Sequence, residues 1–328
     1  LMLLSIVVLS YNRPDQIRRI LDNLIGVMSD DFNIIIKDDV SPLASEINSI
    51  VAEYKEKIGI EVSMHTNDFN VGYDRNLLDA FYITSSDYVF LLSDDDYLIG
   101  SKINDLITIL KSKTYDFYFT PYTNKDFINR KKDAGFIFKN FANVIYNSIL
   151  FSGLIFNRKK VLLLDKDKDF LSNCIYTQVY LAACIIFESE SYGFAPEGLL
   201  ILGGDGENYF GKNESAINSE ILSDRTKITS NLNYQSFLIN VVDEIACKTD
   251  NKIKILFMRE YFKRLVSYSL RARAVGLSSY TQFFNAYMKS KIPFNIVFFI
   301  SLILLFIVPK LLSKKINSFG LANFRKSG

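Results

Sequence analysis

The stretch 88–97, with the sequence YVFLLSDDDY, constrains the fold of this chain more than any other. Its first part, Val89–Leu92, is an uninterrupted β-prone apolar run, which is typical of a strand buried on both faces in a parallel sheet. The run is followed by three adjacent carboxylates, Asp94, Asp95 and Asp96. Three acids at one strand end repel one another unless a cation lies among them, and oxygen ligands suit Mg²⁺ or Mn²⁺. The alternative is a polar turn in which one Asp caps the next helix.

Composition excludes several classes of protein. The chain has 328 residues, enough for one large α/β domain with an appendage, and a net charge of +2 gives no argument for nucleic acid. His65 is the only histidine, which argues against a Ser-His-Asp triad. The cysteines Cys174, Cys184 and Cys247 form no CxxC pair, which argues against a zinc site and fits a reducing cytosol. The apolar start, 1–9, lacks a basic flank, so we expect no signal peptide there.

Strand-like and helix-like segments alternate four times in the first hundred residues. The apolar patterns predict strands at 5–9, 32–37, 60–65 and 89–92. They predict helices at 16–28 with Asp15 as a cap, from Ser41-Pro42 onward, and at 73–84. This alternation predicts a doubly wound, mostly parallel α/β sheet with flanking helices.

A polar cluster follows each of these strands. The clusters lie at 10–13, 38–39, 70–76 and 94–96. Ligands of such sheets bind beyond the carboxyl ends of the strands, so the sequence predicts a binding site at this edge. Neither GxGxxG nor GxxxxGK[ST] is present, so neither a dinucleotide fingerprint nor a P-loop is supported.

The rest of the chain gives coarser predictions. We expect helices at 101–111, 158–164 and 176–187, strands at 116–121 and 151–157, extended chain at 192–201, and two or three helices within 217–275. Loops are expected at 125–133 and 203–208. The predicted division is a domain at 1–215, with halves at 1–98 and 99–215, a helical extension at 216–288, and a basic, apolar tail at 289–328.

The tail contains an apolar run, 294–308, between Pro293 and Pro309. It is shorter than the roughly 20 residues that a membrane-spanning helix needs. Basic residues flank it on both sides: Lys289, Lys291, Lys310, Lys314, Lys315, Arg325 and Lys326. We therefore expect a peripheral or re-entrant anchor on the cytoplasmic face of the cell membrane, in preference to a span or a buried core helix.

Four segments of the first hundred residues carry a family resemblance. SIVVLSYNRPDQIRRILDNL, IIIKDDVSP, NVGYDRNLLDAF and DYVFLLSDDDYL occur in the order and spacing of the family 2 glycosyltransferases. The variant NVGYDRN with SDDD looks most like bacterial polysaccharide enzymes grouped with abequosyltransferases. The resemblance implies the GT-A fold and transfer of a sugar from a nucleotide-sugar donor.

The resemblance also implies roles for the nucleotide-binding half. The base and ribose pocket would be lined by Leu9, Ser10, Tyr11, Asn12 and Arg13. Asp39 would accept a hydrogen bond from the base, and Asp38 would support it. Asn70 and Gly72 would belong to the donor site, and Arg75 would approach the nucleotide or its phosphates. The alternative for Arg75 is a surface salt bridge with Asp74 or Asp79.

The three acids would correspond to the family's DxD motif, and they are the predicted catalytic residues. Asp94 would face the ribose and Asp96 would hold Mn²⁺ or Mg²⁺ against the diphosphate, with Asp94 as a further metal candidate. Asp95 is the next candidate for either role, because Ser93 stands where many relatives have the first Asp of the motif.

The catalytic base is where the chain departs from the family. Inverting members carry an acid at the start of a helix roughly eighty residues past the DxD motif. Here that neighbourhood reads NCIYTQ, 173–178, without a carboxylate. Neighbouring acids remain unassigned: Asp165, Asp167, Asp169, Asp205 and Glu207. Tyr176 and Gln178 could contact an acceptor sugar, although packing is the simpler role for Tyr176.

Three functions stay open at this point. The leading one is an inverting, metal-assisted hexosyl- or deoxyhexosyltransferase for bacterial surface polysaccharide. It would take a UDP-, CDP- or dTDP-sugar and a saccharide or lipid-linked acceptor, with no nucleic acid partner. The second is a nucleotidyltransferase, although the Gly-rich basic loop of that class is missing from 9–13. The third is a non-catalytic nucleotide-sugar-binding subunit of an assembly complex, which the missing acid favours.

Overall fold

The computed structural model describes residues 2–123, 137–164, 168–171, 173–204, 228–313 and 315. The chain divides into two compact units, 1–217 and 218–328. The first is an α/β unit and the second is helical, as predicted. The finer predicted boundaries at 98 and 288 stay predictions. The predicted loop at 125–133 and most of the one at 203–208 lie outside the described residues.

Nine strands of the first unit lie within the described ranges. These are β1 (Leu4–Ser10), β2 (Met28–Asp38), β3 (Gly59–Thr66), β4 (Tyr88–Ser93), β5 (Tyr97–Leu98), β6 (Phe117–Phe119), β7 (Leu154–Asn157), β8 (Gly193–Phe194) and β9 (Leu200–Ile201). Seven of them form one sheet in the order β3-β2-β1-β4-β7-β6-β8, and β5 pairs with β9. In the larger sheet β7 alone runs against the others. The prediction of a mostly parallel, doubly wound sheet is therefore confirmed.

Eight helices of the first unit lie within the described residues. They are α1 (Pro14–Asp22), α2 (Ala44–Lys55), α3 (Tyr73–Ile83), α4 (Ile103–Lys111), α5 (Ile137–Asn147), α6 (Arg158–Leu163), α7 (Lys168–Leu171) and α8 (Thr177–Ser189). The described part of the second unit contains α9 (Ile228–Lys248), α10 (Asn251–Val275), α11 (Leu277–Lys289) and α12 (Ile296–Ile307).

Apolar side chains determine these elements. All seven residues of β1 are buried, as expected for the central strand of a sheet covered on both faces. Helix α1 buries Ile17, Ile20 and Leu21 on one face, at the spacing that predicted it. Its predicted limits were wrong at both ends. The helix begins at Pro14, since proline suits the first helical position, and ends at Asp22. Gly26 then turns the chain with φ +84° into β2.

The second unit packs α12 against its own neighbouring helices. Phe298, Leu302 and Leu305 are buried, and the Phe298 ring lies 5.0 Å from the Tyr287 ring and 5.5 Å from the Phe262 ring, centroid to centroid. The opposite side of α12 is exposed. Helix α12 has 12 residues and is therefore shorter than the apolar run at 294–308. No helix among the described residues is both long and apolar enough to cross a membrane.

Candidate active site

The candidate site lies where the strand order reverses. From β1 the chain builds outward through β2 and β3, and then returns to place β4 on the other side of β1. At the carboxyl ends, Ser10 is level with Asp38 and Leu9 is level with Ser93. A reversal of strand order opens a crevice beyond the carboxyl ends, where ligands of open α/β sheets bind.

An ion pair at this crevice links the segments that follow β1 and β4. The Arg13 guanidinium donates to Oδ1 of Asp94 at 2.6 Å, and the backbone N–H of Tyr11 donates to Oδ2 at 3.2 Å. The side chains of Arg13 and Asp94 are only 11% and 7% exposed. Burial raises the pKa of Asp94 to about 6, although the charge of Arg13 opposes that rise. Two polar clusters predicted separately from the sequence are thus in direct contact.

The other two acids differ sharply in accessibility. The Asp95 side chain is 31% exposed; its Oδ1 accepts from the Ser93 hydroxyl at 2.5 Å, and its Oδ2 lies 3.5 Å from Arg13. Asp96 is buried, and its oxygens accept from the Gly203 N–H at 2.8 Å and the Tyr122 hydroxyl at 3.4 Å. This geometry favours Asp95 over Asp96 as a ligand of a bound group, although the assignment stays a prediction.

Gly203 packs directly against the turn formed by residues 94–96, the acidic turn. A Cβ at this position would lie 1.6 Å from the Asp95 carbonyl oxygen, so only glycine fits. The sequence pattern indicated only a flexible loop here. Two adjacent glycines beside acidic residues were the one signal for this contact, because glycine permits a close backbone approach.

Arg19 is a site residue that sequence reasoning missed. It lies on α1, and its guanidinium donates to the Asp95 carbonyl oxygen at 3.0 Å and to that of Asp96 at 3.5 Å. The same group lies 3.8 Å from the centroid of the Tyr97 ring, within cation–π range. Arg19 therefore fixes the backbone that presents Asp95. From the sequence it was one of several arginines on an amphipathic helix.

Asp39 organises the loop before α3. Its Oδ1 accepts from the Asn67 amide at 2.8 Å and from the Val71 N–H at 2.9 Å, and its Oδ2 accepts from the Gly72 N–H at 3.0 Å. The Asn70 amide donates to the Asp39 carbonyl oxygen at 3.0 Å. A carboxylate has about four acceptor sites, so a further donor can be accommodated. Contact with a base stays a prediction.

Asp38 and Lys37 support this loop from within. Asp38 is fully buried and accepts from the Ser41 N–H at 2.9 Å and the Ser41 hydroxyl at 2.6 Å, which fixes the turn before α2. Lys37 is also fully buried, and its Nζ donates to Asn67 at 2.7 Å. Burial lowers the pKa of Lys37, while Asp79, Asp39 and Asp38 act in the opposite direction. Lys37 was not predicted as a site residue, because in the sequence it continues the apolar run of a strand.

Arg75 and Asp74 are adjacent in the sequence but have different surroundings in the structure. Arg75 is exposed on α3 and forms no ion pair with any described residue, so its predicted approach to phosphate stays a prediction. Asp74 is buried and accepts from the Ile175 N–H at 2.8 Å and the Thr177 hydroxyl at 2.9 Å. Burial raises the pKa of Asp74 to about 6, against the lowering effect of those bonds.

The start of α8 therefore receives a carboxylate from another helix. Gln178 in its first turn is buried and donates to the Ile149 carbonyl oxygen at 2.6 Å, and Tyr176 is buried as well. Of the five acids left open by the sequence, Asp169 is exposed on α7 and the other four lie outside the described residues. Asp74 was missed because an acid in a first helical turn ordinarily reads as a dipole partner.

Strained backbone marks three of these segments. Asn12, Val40 and Ile175 have positive φ angles of 58°, 58° and 68°. Positive φ is a true outlier for β-branched Val and Ile, and each such residue costs about 1–3 kcal/mol unless its surroundings enforce it. These three follow β1, follow β2 and precede α8, which are the segments that carry Arg13, Asp39 and the bonds to Asp74.

The acidic turn can bind a divalent ion only if a bound substrate and water supply the ion's other ligands. Within the described residues, no three His, Cys, Asp or Glu side chains are arranged to hold a metal. Mg²⁺ commonly uses one or two carboxylates and takes its other ligands from substrate phosphates and water. The partly exposed Asp95, with Asp94 beside it, provides that smaller donor set.

Comparison with known sequences identifies the family. The sequence model described as glycosyl transferase family 2 matches residues 5–170. The chain belongs to this family. The match includes β1 to β4 and both partners of the Arg13–Asp94 pair, so the resemblance noted in the sequence is confirmed.

Among curated proteins, the family 2 chain is similar to the poly(ribitol-phosphate) beta-N-acetylglucosaminyltransferase TarP of Staphylococcus aureus (strain N315). The two are 24% identical over 168 residues, which is 50% of this chain and 50% of TarP. This chain thus spans about half the length of that relative.

Solved structures share the fold. The S. aureus TarS 1-349 structure with UDP-GlcNAc has a TM-score of 0.59 at 15% identity, covering 87% of this chain and 79% of TarS 1-349. The mannosyltransferase PcManGT from Pyrobaculum calidifontis, with GDP-Man and Mn²⁺, has a TM-score of 0.55 at 13% identity, covering 98% and 86%. These similarities confirm the predicted GT-A fold.

Proposed function

We propose that this chain transfers a sugar from a nucleotide-sugar donor to a saccharide or lipid-linked acceptor during synthesis of a bacterial surface polysaccharide. The observation that carries the proposal is the buried Arg13–Asp94 pair at the reversal of strand order, next to the partly exposed Asp95. TarP, which acts on poly(ribitol-phosphate), supports a cell-surface acceptor. The family assignment argues against the nucleotidyltransferase alternative.

The donor side follows from the contacts of the acidic turn. Asp95 would hold Mn²⁺ or Mg²⁺, with Asp94 beside it, while Asp96 keeps Gly203 and the turn in place. A bound ion would act as a Lewis acid that neutralises charge on the departing nucleoside diphosphate. Arg13, directly before α1, and Arg19, on α1, hold the turn, so the carboxylate needs little reorganisation when a donor binds.

The acceptor side is organised by the start of α8. Asp74 ties Ile175 and Thr177 to α3, and α3 follows the loop that Asp39 holds. We assign Asp74 a positioning role, because both of its oxygens already accept hydrogen bonds inside the protein. An inverting transfer needs a base within hydrogen-bond reach of the acceptor hydroxyl, and inversion is part of the proposal.

Calorimetry with UDP-, CDP-, dTDP- and GDP-sugars, with and without Mn²⁺, tests the donor side. One donor should bind in a Mn²⁺-dependent manner, and Asp95→Asn should weaken its binding at least tenfold, about 1.4 kcal/mol. Asp68→Asn, at an exposed carboxylate of the 67–72 loop, is the matched control and should bind normally. If none of the nucleotide sugars binds, the proposal fails.

A non-catalytic donor-binding subunit is the second candidate, favoured by the absence of any acid in 173–178. Turnover separates the two. Release of nucleoside diphosphate on addition of a surface-polysaccharide acceptor would support the transferase, whereas tight donor binding without product under the same conditions would support the subunit.

We further propose that the chain works at the cytoplasmic face of the cell membrane, to which the second unit attaches it without spanning the bilayer. Support comes from the exposed apolar side of α12 and the basic residues that flank it. A lipid-linked acceptor would be presented at that surface. Fractionation of cells that express the chain should recover it with membranes in a salt-sensitive manner.

A further inference from the structure

The second unit contains a groove of about 590 Å³ between α10 and α12. Its floor is apolar and is formed by Met258, Phe262 and Val266 of α10 with Val297 and Phe298 of α12. Phe298 is buried, and Met258, Phe262 and Val266 are partly buried. The apolar floor of a cleft of this size suits an apolar chain more than a sugar.

Cations line the α10 side of this groove. Lys254, Arg259 and Lys263 are exposed lining residues. Lys254 pairs with Asp243 at 3.0 Å and Lys263 lies 3.6 Å from Glu260, whereas Arg259 forms no ion pair with any described residue. Helix α10 carries seven basic residues (Lys252, Lys254, Arg259, Lys263, Arg264, Arg271 and Arg273) against one acid, Glu260. This excess of positive charge favours binding to an anionic partner.

An apolar stripe continues from the groove along α12. Val297 lines the groove, and Ile300, Leu304 and Ile307 follow it at helical spacing. These four side chains are 50% to 78% exposed. Helices with one large apolar face and nearby basic residues lie in the plane of the membrane interface, with that face below the headgroups.

We propose that this groove binds an anionic phospholipid at the membrane surface. The lipid phosphate lies at Arg259 and Lys263, the upper part of an acyl chain lies on Met258 and Phe262, and the α12 stripe enters the same leaflet. The inference deepens the membrane part of the proposed function and rests on it. It adds lipid selectivity, which the apolar stripe by itself would not give.

Vesicle co-sedimentation of the full chain tests this proposal. Vesicles of phosphatidylcholine alone are compared with vesicles that also contain phosphatidylglycerol. Each basic residue near an anionic surface contributes roughly fivefold in binding, about 1 kcal/mol. Arg259→Glu with Lys263→Glu should therefore weaken binding to the anionic vesicles at least 25-fold and leave binding to neutral vesicles unchanged. Lys55→Glu, a charge reversal at an exposed position of α2 in the first unit, should bind as the parent does.

The outcomes separate this inference from the function it builds on. Equal binding of the parent to both vesicles, or unchanged binding of the double variant, overturns the groove and leaves membrane attachment intact. No binding to either vesicle overturns both, whereas the donor calorimetry remains an independent measure of the transferase. Circular dichroism verifies that the variants fold.

A second copy of the chain is the competing occupant of the groove. Light scattering coupled to size-exclusion chromatography, without vesicles, measures the oligomeric state of the parent and the double variant. A dimer that the double charge reversal converts to a monomer overturns the lipid proposal. The same oligomeric state in both proteins, with loss of anionic-vesicle binding, supports it.

Discussion

Replacing Asp74 with Asn should remove a specific pH dependence of stability. The folded-state pKa of Asp74 is about 6, compared with an ordinary value of 3.8, because burial disfavours the carboxylate. At Asp74, the folded chain thus binds more protons than the unfolded chain between these values. The contribution of this group to the free energy of unfolding rises as the pH falls through 6 and levels off below 3.8. For these two pKa values, the gain between pH 7 and pH 4.5 is about 2 kcal/mol.

The amide side chain introduced by Asp74→Asn has no proton to bind in this range. Urea titrations of the parent and the variant, followed by circular dichroism because the chain has no Trp, should therefore diverge as the pH is lowered. The stability of the parent relative to the variant should rise by about 2 kcal/mol from pH 7 to pH 4.5. The comparison cancels the contribution of other acids, including Asp94.

The pH dependence is a better test than the absolute stability at pH 7. The amide removes a buried charge, but its NH₂ group faces a donor, Ile175 N–H or the Thr177 hydroxyl, at a cost of about 1–3 kcal/mol. Asp68→Asn, at an exposed carboxylate, is the control and should follow the parent. Parallel curves for the parent and Asp74→Asn would refute the reasoning.

Three further substitutions test the candidate site. Arg13→Leu leaves Asp94 buried without its cation and should lower the free energy of unfolding, measured by urea titration, by about 3 kcal/mol. The double variant Arg13→Leu/Asp94→Leu should recover part of this loss. If it recovers none, the ion pair does not stabilise the fold in this way. Gly203→Ala forces a Cβ to 1.6 Å from the Asp95 carbonyl oxygen and should weaken donor binding in calorimetry. A Cβ at Gly276 would have no atom within 4 Å, so the control variant Gly276→Ala should leave that binding unchanged. Asp95→Asn should abolish the Mn²⁺ dependence of donor binding while the urea midpoint stays constant, and a retained dependence would argue for another ligand.

The strands of the first half could be predicted because a buried strand consists mostly of apolar residues. The apolar residues of β1 and β4 are buried on both faces, so each appears as a continuous run. The reversed direction of β7 could not be predicted in the same way. Its direction depends on pairing with β4 and β6, which are distant in sequence. Helix α5 was also missed, although its buried residues Phe141, Val144 and Ile145 recur at helical spacing.

Only part of the candidate site was accessible from sequence. Polar residues at strand ends indicated the edge where Arg13 and Asp94 lie, because parallel strands bring their carboxyl ends together. Which residues touch could not be predicted, because Arg13 could pair with any of the three adjacent acids. The contacts of Asp74, Arg19 and Gly203 also depend on packing between elements far apart in the chain.

The position of β1 between β2 and β4 has a consequence for synthesis of the chain. Arg13 and Asp94 are 81 positions apart, so translation at about 5–20 residues per second separates their appearance by about 4–16 s. During that interval β1 can pair with β2, but the edge that later receives β4 has no partner strand. An open edge of this kind invites pairing with another nascent chain. The crevice that makes the site therefore coincides with the last seam to close among the first four strands, and donor binding reports that this seam has formed.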